Sequence, residues 1–196
     1  MRWLKLVFVV VFVSGCSSLM TKTSQEDVLN YDSTEIGQIN HWQIKGKLGF
    51  KSTNQSGSAA INWQQHEADY TITLSGPFAS GRVMISGNHQ IAEMRSGDKI
   101  FRHSPQQLAM QLTGLPLPID FLSSWVKGLP SKDDQTLQHF VTNPNGSATS
   151  FQQHNWHLSF SDYRFTDRGY LPRKIIGQLG EQSFKLVIAQ WIFTDN

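Results

Sequence analysis

Apolar and polar residues alternate along most of the chain after residue 41, with the two-residue period of half-buried β-strands. In the clearest run, Trp42, Ile44, Leu48 and Phe50 alternate with glutamine and lysine side chains. Turn signals built on glycine, asparagine and aspartate separate the successive short runs. The pattern predicts strands at residues 42–51, 59–64, 70–74, 83–85, 90–95, 99–103, 137–142, 149–153, 156–161, 174–179 and 183–193.

Three stretches have helical signals instead. A short helix is predicted at residues 33–39, where two isoleucines at helical spacing follow a serine. A second helix is predicted to be capped by Ser104, with proline at its first position and glutamine at its third, and to end at Gly114. A third is predicted from residue 118 or 119 to 127, with Gly128 as its stop.

These elements define the fold class as mainly β (α+β), in one domain at residues 33–196. About ten to eleven strands rarely remain flat and open, so we predict a strongly curved, barrel-like antiparallel sheet. The two helices inserted in the middle of the chain must lie on one face or across the mouth of that sheet. Such an arrangement can leave an apolar hollow for a ligand.

Tryptophan and phenylalanine are concentrated in or beside these strands and helices. Two interpretations are open. The aromatic side chains either fill a dry core or line a cavity that binds acyl chains. Periodicity alone does not separate the two.

Cys16, the only cysteine of the chain, ends a short apolar run near the N-terminus. Arg2 and Lys5 flank the start of this run, and its apolar core at residues 6–13 is too short to span a bilayer. The segment resembles a bacterial lipoprotein signal, in which the cysteine is acylated on sulfur and, after cleavage, on its new amine. An ordinary signal peptide with a free cysteine, or a short membrane anchor, is the alternative. Serine rather than aspartate follows the cysteine, which favours the outer membrane.

Residues 1–15 are therefore predicted to be the signal peptide, and residues 16–32 the acylated cysteine and a polar tether. A flexible tether of about 16 residues reaches roughly 20–24 Å. The chain has 17 Lys+Arg and 15 Asp+Glu, and loss of the two signal-peptide cations leaves 15 of each. A near-neutral domain without a basic cluster argues against nucleic acid as a partner.

No catalytic constellation is evident in the sequence. The nucleophile elbow, P-loop, zinc-protease and dinucleotide motifs do not occur. His154 and His157 lie three apart in a predicted strand region, so they should point to opposite faces and make poor metal ligands. Asp133 and Asp134 look solvated, and Asp162 lacks a second acid that could tune its pKa. We predict a non-enzymatic protein with no metal and no cofactor beyond the N-acyl and S-diacylglycerol lipid on Cys16.

Several motifs occur in a characteristic order and spacing. They are WQIKGK at residues 42–47, INW at 61–63, LSGPFASG at 74–81, GLPLP at 114–118 and WVKGLP at 125–130. Together with the lipoprotein signal, they resemble the LolB family of outer-membrane lipoproteins. Proteins of that family have an unclosed β-barrel with a helical lid over a hydrophobic cavity. They receive acylated proteins from the periplasmic carrier LolA and insert them into the outer membrane without nucleotide hydrolysis.

The resemblance implies a lipid-anchored monomer on the periplasmic face of the outer membrane. Its partners would be a LolA-like carrier, acylated lipoprotein cargo and outer-membrane phospholipid. The family's protruding loop, which carries an exposed apolar residue that is usually leucine, corresponds here to Pro77 and Phe78, with Phe78 as the membrane contact. The expected lining of the acyl-chain cavity is Ile44, Leu48, Ile61, Trp63, Ile72 and Leu74. The expected lid residues are Leu108, Leu112, Leu122 and Trp125.

Three other classes of protein are compatible with the sequence. A lipoprotein that binds a different apolar ligand would share the curved sheet but would not accept cargo from LolA. A structural or adaptor lipoprotein would have a dry core and no bound lipid. A hydrolase of envelope components would need a catalytic constellation, which the sequence lacks.

Overall fold

The computed structural model describes residues 32–76, 81–132 and 136–194. Cys16, Pro77, Phe78 and the Asp133-Asp134 pair lie outside these ranges. The predictions made for the signal peptide, the lipidation site and the membrane loop therefore concern residues beyond the described part of the chain. Asp32, the last residue of the predicted tether, is described, and its side chain caps the first helix.

The described residues form three helices and thirteen strands. The helices are α1 (Ser33–Gly37), α2 (Pro105–Thr113) and α3 (Ile119–Trp125). The strands of the first half are β1 (His41–Lys51), β2 (Ser56–His66), β3 (Asp69–Gly76), β4 (Gly81–Gly87), β5 (Ala92–Ser96) and β6 (Lys99–His103). Those of the second half are β7 (Gln138–Thr142), β8 (Ala148–Gln153), β9 (Trp156–Ser161), β10 (Arg164–Thr166), β11 (Gly169–Leu171), β12 (Lys174–Leu179) and β13 (Gln182–Phe193).

Eleven strands form one antiparallel sheet in the order β6-β5-β4-β3-β2-β1-β13-β12-β9-β8-β7. Strands β6 and β7 lie at opposite edges, so the sheet is an unclosed barrel. The predicted fold class is confirmed. Helices α2 and α3 lie in the chain between these two edge strands, and α2 packs on β5 and β6. The lid is therefore the connection that carries the chain from one edge of the sheet to the other.

Strands β1 and β13 join the two halves of the sheet. Their register shifts between Lys45 and Gly46, which is a β-bulge. A side chain at Gly46 would collide with the carbonyl oxygen of Val187, so this close approach of the two backbones requires glycine. On either side of the bulge, Ile44 and Phe50 are buried in the core.

Several expectations from the sequence need correction. Helix α1 ends at Gly37 rather than at residue 39, and α3 ends at Trp125 rather than at residue 127. The hairpin of β10 and β11, which forms a separate two-stranded sheet, was not predicted, because three-residue strands are too short to show alternation. The placement of His154 in a strand is also wrong. This residue lies in the turn between β8 and β9 with a φ of 50°, whereas His157 belongs to β9.

Candidate functional site

Helix α2 is fixed at both ends by its own sequence. The Ser104 hydroxyl accepts a hydrogen bond of 3.4 Å from the backbone N–H of Gln107. In return, the Gln107 side-chain oxygen accepts one of 3.4 Å from the backbone N–H of Ser104. Gly114 ends the helix in the left-handed conformation, with a φ of 67°. Leu108, in the middle, is completely buried in the core. The predicted start, end and cap of this helix are confirmed.

Helix α3 contacts its neighbours along its length, through Asp120 and Phe121 near its start, but its buried residue lies at its C-terminal end. No side-chain hydrogen bond caps its start at Pro118, and Trp125 is its buried residue. The Trp125 indole Nε1 donates a hydrogen bond of 2.8 Å to the Oε1 atom of Gln153 in β8. The same amide accepts from the Ser131 backbone N–H at 2.9 Å and donates to the Ser131 carbonyl at 2.8 Å. Gln153 thus fastens the end of α3 and the loop after it to the sheet.

A buried lysine adds a second attachment directly after α3. The Lys127 ammonium donates to the carbonyl oxygens of Ile39 at 3.1 Å and Gly37 at 3.4 Å. Burial, and secondarily the charge of Lys132, lowers the pKa of Lys127 to about 8. This contact joins the end of α3 to the segment that connects α1 and β1.

Sequence reasoning missed both Gln153 and Lys127. In the alternation of β8, Gln153 occupies an inward position two residues after the buried Phe151. A polar side chain at an inward strand position is the signal that could have found it, because such a group must be hydrogen-bonded. Lys127 had no comparable signal, since its partners lie 90 and 88 residues away in the chain.

The residues predicted to line a cavity lie on the inner faces of β1, β2 and β3. Direct cross-strand pairing places Trp63 beside both Ile44 and Ile72, and Ile61 beside Leu74. Ile44, Ile61, Trp63 and Leu74 are buried, whereas Leu48 and Ile72 are half-buried against the same core. The six side chains therefore form one apolar surface on three adjacent strands, which we call the inner patch.

The residues predicted to form the lid pack against the same core as the inner patch. Leu108 and Trp125 are fully buried there, and Leu112 and Leu122 are half-buried against it. In this conformation, side chains of the lid and of the sheet belong to one hydrophobic core. The structure thus brings the predicted cavity and lid residues together in a closed arrangement, and their binding of acyl chains remains a prediction.

Two open clefts flank the start of α3. The α2 cleft, about 630 Å³, lies between α2 and α3 and is lined by Met110, Leu117, Phe121 and His154 among others. The β3 cleft, about 420 Å³, lies between α3 and the β2–β3 turn. Its lining is Trp63, Gln65, Glu67, Ala68, Tyr70, His89, Ile119, Asp120, Phe121 and Ser123. Phe121 lines both clefts, and Trp63 brings the inner patch to the β3 cleft.

A third cleft, about 660 Å³, lies beside α1 and the β10–β11 hairpin, away from the lid. Its lining includes Glu35, Asp167 and Arg168, and these charged side chains make it a poor shelter for an apolar ligand. Within the described ranges, no group of three or more histidine, cysteine, aspartate or glutamate side chains could hold a metal ion. Of the helices that the structure describes, none is long and apolar enough to cross a membrane.

The fold is similar to that of two solved structures. A LolA superfamily protein from Nitrosomonas europaea has this fold, with a TM-score of 0.58 and 9% identity over 86% of this chain and 93% of that one. A DUF1329 family protein from Desulfovibrio piger matches with a TM-score of 0.51 and 8% identity over 82% and 88% of the two chains. At such low identity, these likenesses show the fold alone.

Sequence comparison identifies the particular family. The family model described as "Outer membrane lipoprotein LolB" matches residues 40–191. The outer-membrane lipoprotein LolB of Aeromonas salmonicida (strain A449) is 32% identical over 194 residues, covering 94% of this chain and 97% of that protein. The outer-membrane lipoprotein LolB of Cellvibrio japonicus (strain Ueda107) is 34% identical over 183 residues, covering 90% of this chain and 89% of that protein. The chain belongs to the LolB family, as its motifs predict, and is accordingly assigned to the outer membrane.

Proposed function

We propose that this protein is the outer-membrane acceptor of lipoproteins delivered by a LolA-like periplasmic carrier. It shelters their acyl chains between the inner patch and the lid, and then releases them into the membrane. Membership of the LolB family supports a role in lipoprotein localisation. The observation that carries the proposal is the apolar inner patch beneath a lid whose α3 helix lacks a side-chain cap at its start.

The energetics of acyl chains explain why a sheltered acceptor is needed. Exposing an acyl chain of about 16 carbons to water costs free energy on the order of 12 kcal/mol, at roughly 0.8 kcal/mol per methylene. A lipoprotein with several such chains must therefore pass from one sheltered site to the next. Transfer without nucleotide hydrolysis requires only that the acceptor bind the chains more tightly than the carrier and less tightly than the bilayer.

Loading requires a change from the closed arrangement. Ile119, Phe121 and Leu122, in the first turn of α3, are only half-buried and pack against the core. Displacing this turn exchanges contacts between apolar side chains for contacts with an apolar acyl chain. Such an exchange keeps most of the apolar surface away from water, so its net cost is small.

Attachment to the membrane is proposed to involve two parts of the chain. Acylation of Cys16 supplies several chains, which anchor a protein stably where a single chain does not. The second part is the Pro77-Phe78 loop, whose neighbours Gly76 and Gly81 pair with each other at the ends of β3 and β4. This arrangement holds the protein on the periplasmic face, with Phe78 contacting phospholipid.

The acceptor role is tested by cargo transfer. Mature protein carrying Cys16→Ala is incubated with a LolA-like carrier loaded with an acylated lipoprotein, and each protein is then isolated. We expect the cargo on the acceptor. Cargo that stays on the carrier while the acceptor is folded would contradict the proposal. The packing of the lid side chains into the core of the sheet would then favour a structural lipoprotein with a dry core.

The delivery role of the loop is tested separately by Phe78→Glu, with Phe78→Leu as the matched control. A carboxylate is costly to bring into the membrane interface, whereas leucine is apolar. We expect the glutamate variant to accept cargo from the carrier but to deliver little of it to outer-membrane vesicles, and the leucine variant to deliver normally. Normal delivery by Phe78→Glu would show that the loop does not act in this way.

A further inference from the structure

A tyrosine hydroxyl in the β3 cleft has no hydrogen-bond partner among the residues that the structure describes. Tyr70 is the first inward-facing residue of β3 and is 8% exposed. Within the described part of the chain, its buried Oη atom neither donates nor accepts a hydrogen bond. A buried hydroxyl left in this state has lost its hydration without compensation, so the closed conformation is less stable by that amount.

The neighbouring polar groups of this cleft do have partners. The Trp63 indole Nε1 donates to the Gln65 side chain at 3.0 Å, and Gln65 in turn donates to the Glu67 carbonyl at 2.8 Å. Asp120 accepts a hydrogen bond of 2.9 Å from Gln106. The Tyr70 hydroxyl stands apart from these bonds, although it lies beside the inner patch and beneath the start of α3.

The chemistry of the cleft restricts what could bind this hydroxyl. Burial, and secondarily the charge of Asp120, raises the pKa of Tyr70 to about 12, so the group remains a proton donor at physiological pH. Glu67 and Asp120 line the same cleft, and their negative charges disfavour a phosphate or carboxylate ligand. Trp63, Ile119 and Phe121 supply apolar walls. A neutral acceptor oxygen attached to an apolar chain meets all three conditions.

We propose that the β3 cleft binds the ester-linked head of an acyl chain, with the Tyr70 hydroxyl donating a hydrogen bond to the ester carbonyl once the start of α3 moves aside. This inference rests on the proposed function and adds a polar contact to an otherwise apolar site. The hydroxyl has no partner among the described residues while it is buried, and in the loaded state the ester carbonyl supplies one. Tyr70 therefore favours the open lid and orients the head of the cargo at the cleft.

The test combines two probes with two variants of the mature Cys16→Ala protein. The probes are a synthetic lipopeptide with an S-diacylglyceryl cysteine and its diether analogue, which has the same chains but no ester carbonyls. Tyr70→Phe removes the unpartnered hydroxyl. The matched control, Tyr163→Phe, removes a hydroxyl that donates to the Ala148 carbonyl at 2.8 Å. The dissociation constant of each protein with each probe is measured by calorimetry. The melting temperature of each protein is measured without a probe.

We expect the parent, which is the mature Cys16→Ala protein with Tyr70 intact, to bind the diester about 3- to 10-fold more tightly than the diether. One hydrogen bond accounts for a difference of this size. Tyr70→Phe should abolish that preference, leave diether affinity unchanged and melt no lower than the parent. Tyr163→Phe should melt lower but keep the preference. If the parent bound diester and diether equally, or if Tyr70→Phe lost the same affinity for both probes, this inference would be wrong while the proposed function would stand. Binding of neither probe by the folded parent would overturn the proposed function and this inference with it.

Discussion

The two lid helices are held in different ways. Helix α2 has nine residues, a reciprocal side-chain cap at Ser104 and a left-handed glycine at its end. Helix α3 has seven residues, no side-chain cap at Pro118, and a buried tryptophan near its C-terminal end. Both helices are too short to be stable in isolation, so each depends on its tertiary contacts. In α3 the buried contacts lie at Trp125 and, directly after the helix, at Lys127. Its first turn has more exposed contacts, a hydrogen bond from Gln106 to Asp120 and a ring contact between Phe121 and His154.

This difference identifies the part of the lid that can open. The first turn of α3 lies between the α2 cleft and the β3 cleft, with Phe121 lining both. Its end is fastened to β8 by Gln153 and to the α1–β1 segment by Lys127. We therefore expect α2 to act as a fixed frame, while the start of α3 moves about its anchored end.

The largest expected effect tests that anchor. Trp125→Ala removes a fully buried indole and leaves a cavity, which costs about 3–5 kcal/mol of unfolding free energy. Phe121→Ala, in the half-buried first turn of the same helix, should cost clearly less. Urea denaturation of both variants measures the difference. Equal losses at the two positions would mean that α3 is held along its whole length, and the contrast between its ends would be wrong.

The next effect depends on pH and concerns the second attachment of α3. The pKa of Lys127 is about 8 in the folded chain, whereas the ordinary pKa of a lysine is 10.5. Between these values the unfolded chain binds more protons, so unfolding free energy should rise with pH, by at most about 1.4 kcal/mol per pH unit. Below pH 8 the cost of the buried charge is fully present. Unfolding titrations at pH 7 to 10 should show this rise in the parent relative to Lys127→Met. Parallel pH profiles would show that the lysine is not desolvated.

The smallest expected change in stability concerns the N-terminal cap of α2. Ser104→Ala removes the cap of α2 and should lower the unfolding free energy by about 1 kcal/mol. Hydrogen exchange should then accelerate in the amides of α2 but not in those of α3, since the cap acts on its own helix. Faster exchange in α3 as well would show that the two helices open as one unit.

Much of this architecture follows from local sequence rules. The prediction of α2 is confirmed because Ser104, its following proline and Gly114 specify a helix within eleven residues of chain. The start of α3 could be predicted only as residue 118 or 119, since Pro118 provides no side-chain cap, and its end falls at Trp125 rather than at 127. Alternation predicts every strand of the large sheet, but not the three-residue strands of the β10–β11 hairpin.

The candidate site is predicted only in part, for a physical reason. Alternation identifies the inward side chains of β1 to β3, because their orientation is set by strand geometry. It does not reveal that the lid packs on them, or that the Tyr70 hydroxyl lacks a partner among the described residues. Those properties depend on packing between distant segments. Gln153, for example, meets Trp125 and Ser131 across 28 and 22 residues of chain.

Acyl chains are proposed to enter the space between the inner patch and the lid. The most direct measurement uses a lipopeptide with a photoreactive group at the end of an acyl chain, bound to the mature Cys16→Ala protein, with the labelled residues mapped by mass spectrometry. We predict labels on inward residues such as Ile44, Ile61 and Leu74, and on α3. Labels confined to outward-facing residues such as Lys47 and Met84 would contradict the account.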